Sequence, residues 1–193
     1  MEKGHIKHIA IFASGAGSNA ANLIQYFSKN EQVNIELIVC NKPNAGVLSI
    51  ASDNNIPYII IEKERFFNGD AYLTILKEYK IDFIVLAGFL WKVPLLLIQS
   101  YPNKIVNIHP ALLPKYGGKG MYGAHVHEAI IANKEQETGI TIHLVDEIYD
   151  NGKILFQARC QVIDSDTAET VAQKVHQLEY AHFPEQVEKW MLS

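Results

Sequence analysis

The sequence predicts an α/β fold built on an open, doubly wound sheet, because short β-branched runs alternate with segments of helical spacing. The run from Asp82 to Ala87 is almost continuously apolar, which is typical of a strand buried on both faces of a parallel sheet. The five runs that predict strands here are 7–14, 34–40, 57–61, 82–87 and 104–108. The helical spacings between and after them are 20–27, 46–54, 70–79 and 94–100.

The last third of the chain follows a different pattern. Strands are predicted at 139–145 and 153–162, and the short polar stretch between them has no room for a crossover helix, so antiparallel pairing is expected. A final helix is expected from about Asp166 to Trp190, with Ser165 or Asp166 as its N-cap and a kink or break at Pro184. Neither a repeat nor a linker interrupts residues 1–193, so we expect one domain.

Composition narrows the class of protein. The 193 residues are 48% hydrophobic and 20% charged, as in an ordinary globular chain, and the formal charge is −4. No run of Lys or Arg supports nucleic-acid binding, and no apolar stretch approaches the ~20 residues of a membrane-spanning helix. Two cysteines, Cys40 and Cys160, are too few for a disulfide framework. We therefore expect a cytoplasmic protein that binds neither nucleic acid nor a membrane.

Ligands of open α/β sheets bind beyond the carboxyl ends of the strands, and the first unusual stretch there is SGAGSN, from Ser14 to Asn19. Its glycines permit close approach of an anion, and the backbone N–H groups at the following helix start point toward it. Ser18 and Asn19 can add side-chain donors. This pattern favours a monophosphate site.

Two other interpretations of this turn stay open. A dinucleotide site is compatible with Ala20 at the place of a third glycine, although Glu36 does not stand at a strand end as the ribose-binding acid should. A simple tight turn with positive φ is the second alternative.

The second stretch runs from Asn107 to Ala129. Asn107 and His109 are two residues apart in a strand, so both side chains project to the same face. An amide can donate to a developing oxyanion, and an imidazole can do the same or act as a general acid. With a later carboxylate, they would form an acyl-transfer set that lacks a Ser or Cys nucleophile. A structural histidine is the alternative.

The loop that follows is rich in glycine. GGKGMYG, residues 117–123, predicts a mobile segment that can fold over a ligand. His125 and His127 suggest a metal site, but their side chains would diverge on a helix and Glu128 is badly placed as a third ligand. No metal site is predicted.

The third stretch, DEIYDNG at 146–152, is an ordinary solvated turn unless one of its carboxylates approaches His109. In that case Asp150 would fix the tautomer of the imidazole and raise its pKa.

Together these motifs resemble those of the folate-dependent formyltransferases, and specifically the glycinamide ribonucleotide formyltransferases of purine biosynthesis. The segments that carry the resemblance are SGAGSN (14–19), LAGFLWKV (86–93), NIHPALLPKY (107–116), HLVDEIYDNGKIL (143–155) and LEYAHFP (178–184). The resemblance implies a Rossmann-like, mainly parallel sheet of about seven strands with helices on both faces. It also implies formyl transfer from 10-formyltetrahydrofolate, as co-substrate, to the amine of 5-phosphoribosylglycinamide, by direct attack through a tetrahedral intermediate.

The same resemblance implies roles for particular residues. The catalytic set would be Asn107, His109 and Asp150. The ribonucleotide substrate would contact Gly17, Ser18 and Asn19 at its phosphate, and His176 and Glu179. The folate would contact Asn107 and two segments, which consist of Leu90, Trp91, Lys92 and Val93, and of Asp146, Glu147, Ile148, Tyr149 and Asp150. No metal is implied, and the chain would be a monomer or a homodimer.

Two departures from the family pattern concern the loops. Residues 117–124 are longer and richer in glycine than the usual loop, and near Asn68 and Gly69 many relatives place a basic residue for the folate tail. Lys63 and Arg65 are nearby, and neither is assigned. An amino-sugar nucleotide formyltransferase, a formyltetrahydrofolate hydrolase and a nucleotide-binding module that keeps only the fold remain alternatives.

Overall fold

The computed structural model describes residues 6–68 and 70–193, which form a seven-stranded sheet with helices on both faces. The strands are β1 (Lys7–Ala13), β2 (Val33–Cys40), β3 (Tyr58–Ile60), β4 (Phe83–Leu86), β5 (Ile105–His109), β6 (Glu137–Leu144) and β7 (Ile154–Gln161). The helices are α1 (Ser18–Phe27), α2 (Gly46–Asp53), α3 (Lys63–Asn68), α4 (Ala71–Glu78), α5 (Leu95–Ser100), α6 (Ala124–Ala132) and α7 (Ala168–Leu192).

The strand order is β3-β2-β1-β4-β5-β6-β7, and the predicted fold class is confirmed. The first five strands of this order are parallel, whereas β6 pairs antiparallel with both β5 and β7. All seven predicted strands are present, with ends displaced by one or two residues. The chain leaves β1 toward β2 on one side and later returns to β4 on the other. This reversal opens a crevice at the carboxyl end of β1.

Burial on both sides of β1 explains its apolar sequence. Ile9 and Ile11 pack in a core with α1, α2, α6 and α7, while Ala10 and Phe12 pack in a second core with α3, α4 and α5. Because successive strand residues face opposite sides, an apolar run of this kind fills both cores. Within the described residues, no helix has the length and apolarity required to cross a membrane.

The start of α7 differs from the prediction. The N-cap is Thr167 rather than Ser165 or Asp166, because the Thr167 hydroxyl accepts the backbone N–H of Thr170 and the Thr170 hydroxyl accepts that of Thr167. The Asp166 carboxylate instead accepts from Lys174 Nζ. Two threonines three residues apart thus form a reciprocal cap. The sequence did not indicate it, because Ser165 and Asp166 are also good N-cap residues.

Of the kink or break expected at Pro184, the break does not occur, since α7 continues through this residue to Leu192. A proline at this position has no N–H to donate to the carbonyl of Tyr180, four residues earlier. The side-chain amide of Asn22 in α1 donates to that carbonyl at 3.0 Å. A hydrogen bond from a neighbouring helix therefore takes the place of the missing helical bond.

Helix α3 was absent from the prediction. It has only six residues and a single buried side chain, Phe66, so it offers no periodicity to read.

Candidate active site

The crevice beside β1 is part of a cleft of about 740 Å³ along the carboxyl edge of the sheet. Ser14 joins its two sides, since its backbone N–H donates to the Gly88 carbonyl at 3.0 Å and its hydroxyl accepts the Leu90 N–H at 2.9 Å. The structure brings together in this cleft all eight residues expected for catalysis or ribonucleotide binding, namely Gly17, Ser18, Asn19, Asn107, His109, Asp150, His176 and Glu179.

Asn107 and His109 project from the end of β5, and the loop after β6 brings Asp150 to them. Asp150 Oδ2 lies 3.6 Å from His109 Nδ1, and Asp150 Oδ1 lies 3.6 Å from His143 Nε2. The amide of Asn107 lies 3.1 Å from the same His143 nitrogen. The carboxylate is therefore at ion-pair distance from two imidazoles, beside an amide that faces the cleft.

His109 is buried, and its Nε2–H donates to the backbone carbonyl of Tyr116 at 2.7 Å. Burial lowers the pKa of His109 and outweighs the opposite effects of the Asp150 charge and the Tyr116 carbonyl, so the net shift is downward. Asp150 does raise the pKa of His109, as expected. Burial dominates because an imidazolium at this apolar strand end loses its hydration.

Asp150 is the hub of this cluster. Its backbone is left-handed, with φ at 53°, a conformation that Asp tolerates better than most residues. Its Oδ2 accepts the N–H of Gly118 at 2.9 Å, which connects it to the glycine-rich loop. Burial raises its pKa, but the nearby His143 side chain, the charge of His109 and the Gly118 N–H together lower it by more, so the net shift is downward. The residue is thus held as a carboxylate.

His143 is a member of the cluster that sequence reasoning missed. It stands directly opposite Asn107 in the antiparallel pairing of β5 and β6. Its Nδ1–H donates to the Leu144 carbonyl at 2.8 Å, and its Nε2 lies 3.1 Å from the amide nitrogen of Asn107. The signal was the register of this pair, since a polar residue opposite Asn107 must share its face.

The turn before α1 has the geometry of an anion site. Gly17 caps the helix with φ at 85°, and the first-turn amides that follow have no helical partner. The Asn19 amide donates to Glu179 Oε2 at 2.9 Å, and His176 Nδ1 lies 2.9 Å from the same oxygen. This hydrogen bond raises the pKa of His176. The turn is therefore connected to α7 by a buried carboxylate.

We expect Gly17→Ala to lower the free energy of unfolding by about 2 kcal/mol. A Cβ at Gly17 would stand 2.8 Å from the backbone Cα of Val47, and alanine disfavours the left-handed φ. Urea denaturation measures the effect. Gly15→Ala is the matched control, because a Cβ there meets nothing within 4 Å. Equal stability of the two variants would contradict the packing argument.

A second, smaller pocket of about 70 Å³ adjoins the cleft and is lined by both segments expected to contact folate. Its walls contact each other, since Lys92 Nζ lies 5.7 Å from the centre of the Tyr149 ring. The expected residues that line it are Trp91, Lys92, Val93, Asn107, Asp146, Ile148, Tyr149 and Asp150. Leu90 lines the larger cleft instead, and Glu147 is exposed and lines neither.

Two cationic side chains were overlooked at the cleft. Lys42 lies just beyond the end of β2, and Lys119 lies in the glycine-rich loop. The position of Lys42 at a carboxyl strand end was the readable signal, because ligands of this sheet type bind at that edge.

The two histidines of α6 diverge, as expected for a helix. His125 is exposed and lies 3.4 Å from Glu128, whereas His127 is buried in the cleft and its Nδ1 has no hydrogen-bond partner. No group of three potential metal ligands occurs among the residues that the structure describes.

A basic contact for the folate tail was expected near Gly69, which lies outside the described residues. The guanidinium of Arg65, one of the two basic residues nearby, lies over the Tyr72 ring.

Comparison with known proteins agrees with this arrangement. The sequence profile described as formyl transferase matches residues 7–187. A phosphoribosylglycinamide formyltransferase of Bacillus subtilis is 34% identical over 184 residues, which cover 93% of this chain and 92% of that protein. A chloroplastic phosphoribosylglycinamide formyltransferase of Arabidopsis thaliana is 38% identical over 187 residues, or 94% of this chain, and the chain spans 64% of its length.

Solved structures extend the comparison to the fold. The crystal structure of a phosphoribosylglycinamide formyltransferase from Bacillus halodurans superposes with a TM-score of 0.86 at 34% identity, covering 95% of this chain and 94% of that one. A glycinamide ribonucleotide transformylase from Symbiobacterium toebii gives a TM-score of 0.87 at 25% identity, covering 96% and 87% of the respective chains. The chain therefore belongs to the formyl transferase family.

Proposed function

We propose that this chain is a phosphoribosylglycinamide formyltransferase, a single catalytic domain that moves a formyl group from 10-formyltetrahydrofolate to the amine of 5-phosphoribosylglycinamide in purine biosynthesis. The observation that carries the proposal is one cleft that holds both the anion-binding turn at Gly17 and the cluster of Asn107, His109 and Asp150. The names of the relatives support the same substrate.

The ribonucleotide would bind with its phosphate at the first turn of α1. Free backbone amides and the dipole of the helix favour an anion there, and Lys42 adds a positive charge to the same end of the cleft. Both residues of α7 would contact the ribose hydroxyls: Glu179 would accept hydrogen bonds from them, and His176 would donate to them. This orientation directs the glycinamide amine toward β5.

The reaction would begin with attack of that amine on the formyl carbon, which forms a C–N bond and an oxyanion. Asn107 would donate one amide hydrogen to the oxyanion, and His109 would donate from Nδ1. The free-protein pKa of His109 is lowered, but a developing oxyanion favours the imidazolium through the same Coulombic effect that Asp150 exerts. The bond from carbon to the folate nitrogen would then break, with a water carrying the amine proton to that nitrogen.

The formyl donor would enter from the smaller pocket. At about 70 Å³ this pocket is below the ~300 Å³ of typical ligand sites, so the donor would also need the adjoining cleft. Separation of Lys92 from Tyr149 would widen the entrance of this pocket.

We also propose that the protein is located in the cytoplasm, which the free thiols of Cys40 and Cys160 support.

The experiment that tests this function supplies purified protein with 10-formyltetrahydrofolate and one acceptor at a time. Product tetrahydrofolate and formylated acceptor are both quantified. We expect turnover with 5-phosphoribosylglycinamide and none with an amino-sugar nucleotide. Formyl loss without an acceptor would indicate a hydrolase instead, and binding without formyl loss would indicate a binding module.

The turn before α1 gives a further prediction about substrate affinity. Combined Ser18→Ala and Asn19→Ala changes should raise the KM for 5-phosphoribosylglycinamide about tenfold, because they remove a donor hydroxyl and the amide that positions Glu179. The kcat should change less. If this turn binds the phosphate, the increase in KM should be smaller for the same acceptor without its phosphate group.

Steady-state kinetics with both acceptors measure this difference. Ser28→Ala is the matched control, since Ser28 lies at the other end of α1 and its hydroxyl donates to the Gln25 carbonyl. An unchanged KM in the double variant would count against a phosphate site at this turn.

A further inference from the structure

A chain of hydrogen bonds leads from His109 to the outer side of the segment that follows β5. The Nε2–H of His109 donates to the Tyr116 carbonyl at 2.7 Å. The hydroxyl of Tyr116 donates to Glu135 Oε1 at 2.9 Å, and Lys115 Nζ donates to both oxygens of that carboxylate, at 3.0 and 3.1 Å. Glu135 follows α6 and lies outside the large cleft.

Tyr116 is held in an uncommon backbone conformation. Its φ is 57°, in the left-handed region that residues other than Gly, Asn and Asp rarely adopt. A residue keeps such a conformation only where contacts with the surrounding structure hold it in place. The charge-assisted bond to Glu135 supplies that constraint, and the hydroxyl also lies within reach of the Asn133 side chain. The direction of the Tyr116 carbonyl is thus set from outside the cleft.

This carbonyl determines which nitrogen of His109 can act on a ligand. A carbonyl oxygen only accepts, so Nε2 carries the hydrogen and the neutral ring has its lone pair at Nδ1. Nδ1 faces Asp150 Oδ2 at 3.6 Å, which is too long for a hydrogen bond and leaves this nitrogen available. The protonated ring would therefore present a free N–H from Nδ1.

We propose that Tyr116 and Glu135 are positioning residues for His109, which fix its Nε2–H tautomer and present Nδ1 to the formyl oxygen. The inference deepens the proposed function and rests on it for the identity of the reacting group. Neither residue touches the reacting atoms. Their effect on the reaction passes through the direction of one backbone carbonyl.

Other polar groups around His109 come from three sides. Asp150 and His143 approach from β6 and the loop after it, Glu179 from α7 and His127 from α6. Among the described residues, the Tyr116 carbonyl alone makes a hydrogen bond to the ring. These other groups set the charge around His109, whereas the carbonyl sets its tautomer and orientation.

The test compares four variants of the full chain. Tyr116→Phe and Glu135→Leu remove the anchoring hydrogen bond, and each should lower kcat by about tenfold or more while both KM values stay within about twofold. Glu135→Gln keeps an acceptor for the hydroxyl and should restore most of the activity. Lys115→Gln is the matched control, because it removes the other partner of Glu135 and leaves the Tyr116 bond; its kcat should equal that of wild type.

Two readouts distinguish positioning from a loss of folding. Nitrogen-15 NMR of His109 should give the Nε2–H tautomer in wild type and a mixture in Tyr116→Phe. The high-pH limb of kcat should move to lower pH in this variant, since the Tyr116 carbonyl raises the pKa of His109 and a lower pKa leaves less imidazolium at a given pH.

The outcomes separate this inference from the proposed function. Absence of formyl transfer by wild type would overturn the function, while the tautomer measurement would still test the positioning of His109. Formyl transfer by wild type with unchanged kcat and tautomer in Tyr116→Phe and Glu135→Leu would overturn the inference alone. Equal loss in Glu135→Gln and Glu135→Leu would overturn it as well, because the hydrogen bond would then not be the cause.

Discussion

Replacing His109 with alanine is expected to lower the kcat of formyl transfer by about a thousandfold. The change removes an oxyanion donor, a loss that typically costs ~10²–10³ in rate, and it also removes a group able to carry a proton. The hydrogen bond of this ring goes to the Tyr116 carbonyl and not to the turn before α1. Binding of 5-phosphoribosylglycinamide, measured by calorimetry, should therefore stay within a few-fold of wild type.

His125→Ala is the matched control for this variant. His125 is an exposed histidine in α6 and pairs only with a neighbouring surface carboxylate, Glu128. Its removal should leave kcat nearly unchanged. A His109→Ala variant with near-normal kcat would contradict the assigned role of the imidazole, whereas loss of acceptor binding would indicate a wider structural change.

Asp150→Asn is expected to reduce kcat by about a hundredfold or more, because the charge of Asp150 stabilises the imidazolium of His109. The substitution removes the charge beside His109 and His143, and asparagine tolerates the left-handed backbone of this position. The side-chain oxygen can still accept the Gly118 N–H. We therefore expect a large decrease in kcat with little change in the stability of the fold, which thermal unfolding measures.

The pH dependence of this variant has a definite sign. Asp150 raises the pKa of His109, so its neutralisation lowers that pKa further. The imidazolium exists below the pKa, so the high-pH limb of kcat should move to lower pH in Asp150→Asn. Asp164→Asn, at an exposed position after β7, is the charge control and should leave the profile in place. A limb that moves upward, or not at all, would contradict the electrostatic role.

The sheet could be predicted because its signal is local. Apolar runs that alternate with helical spacing identified every strand, and the short polar stretch before β7 correctly indicated antiparallel pairing. The start of α7 and its passage through Pro184 could not be read, because each depends on a side-chain partner. The Thr167 cap competes with nearby alternatives, and the Asn22 bond joins residues 158 positions apart.

The site was predictable only in part. Strand alternation places Asn107 and His109 on one face, but the approach of Asp150 depends on a left-handed backbone in a loop 41 residues further on and was supported only by the family resemblance. His143 was missed since its contact with Asn107 follows from the register of β5 and β6. The effect of Asp150 on the pKa of His109 was predicted, but the larger, opposite effect of burial could not be, because burial has no local sequence signal.

The hydrogen bond between Asn22 and the Tyr180 carbonyl has a consequence for the end of the cleft that contains the turn before α1. Together with the Asn19–Glu179 and Tyr26–Glu188 hydrogen bonds, it joins α7 to α1 at three points along α1. A substitution that displaces α7 at Glu179 would therefore also act on the turn before α1, 160 residues earlier in the chain.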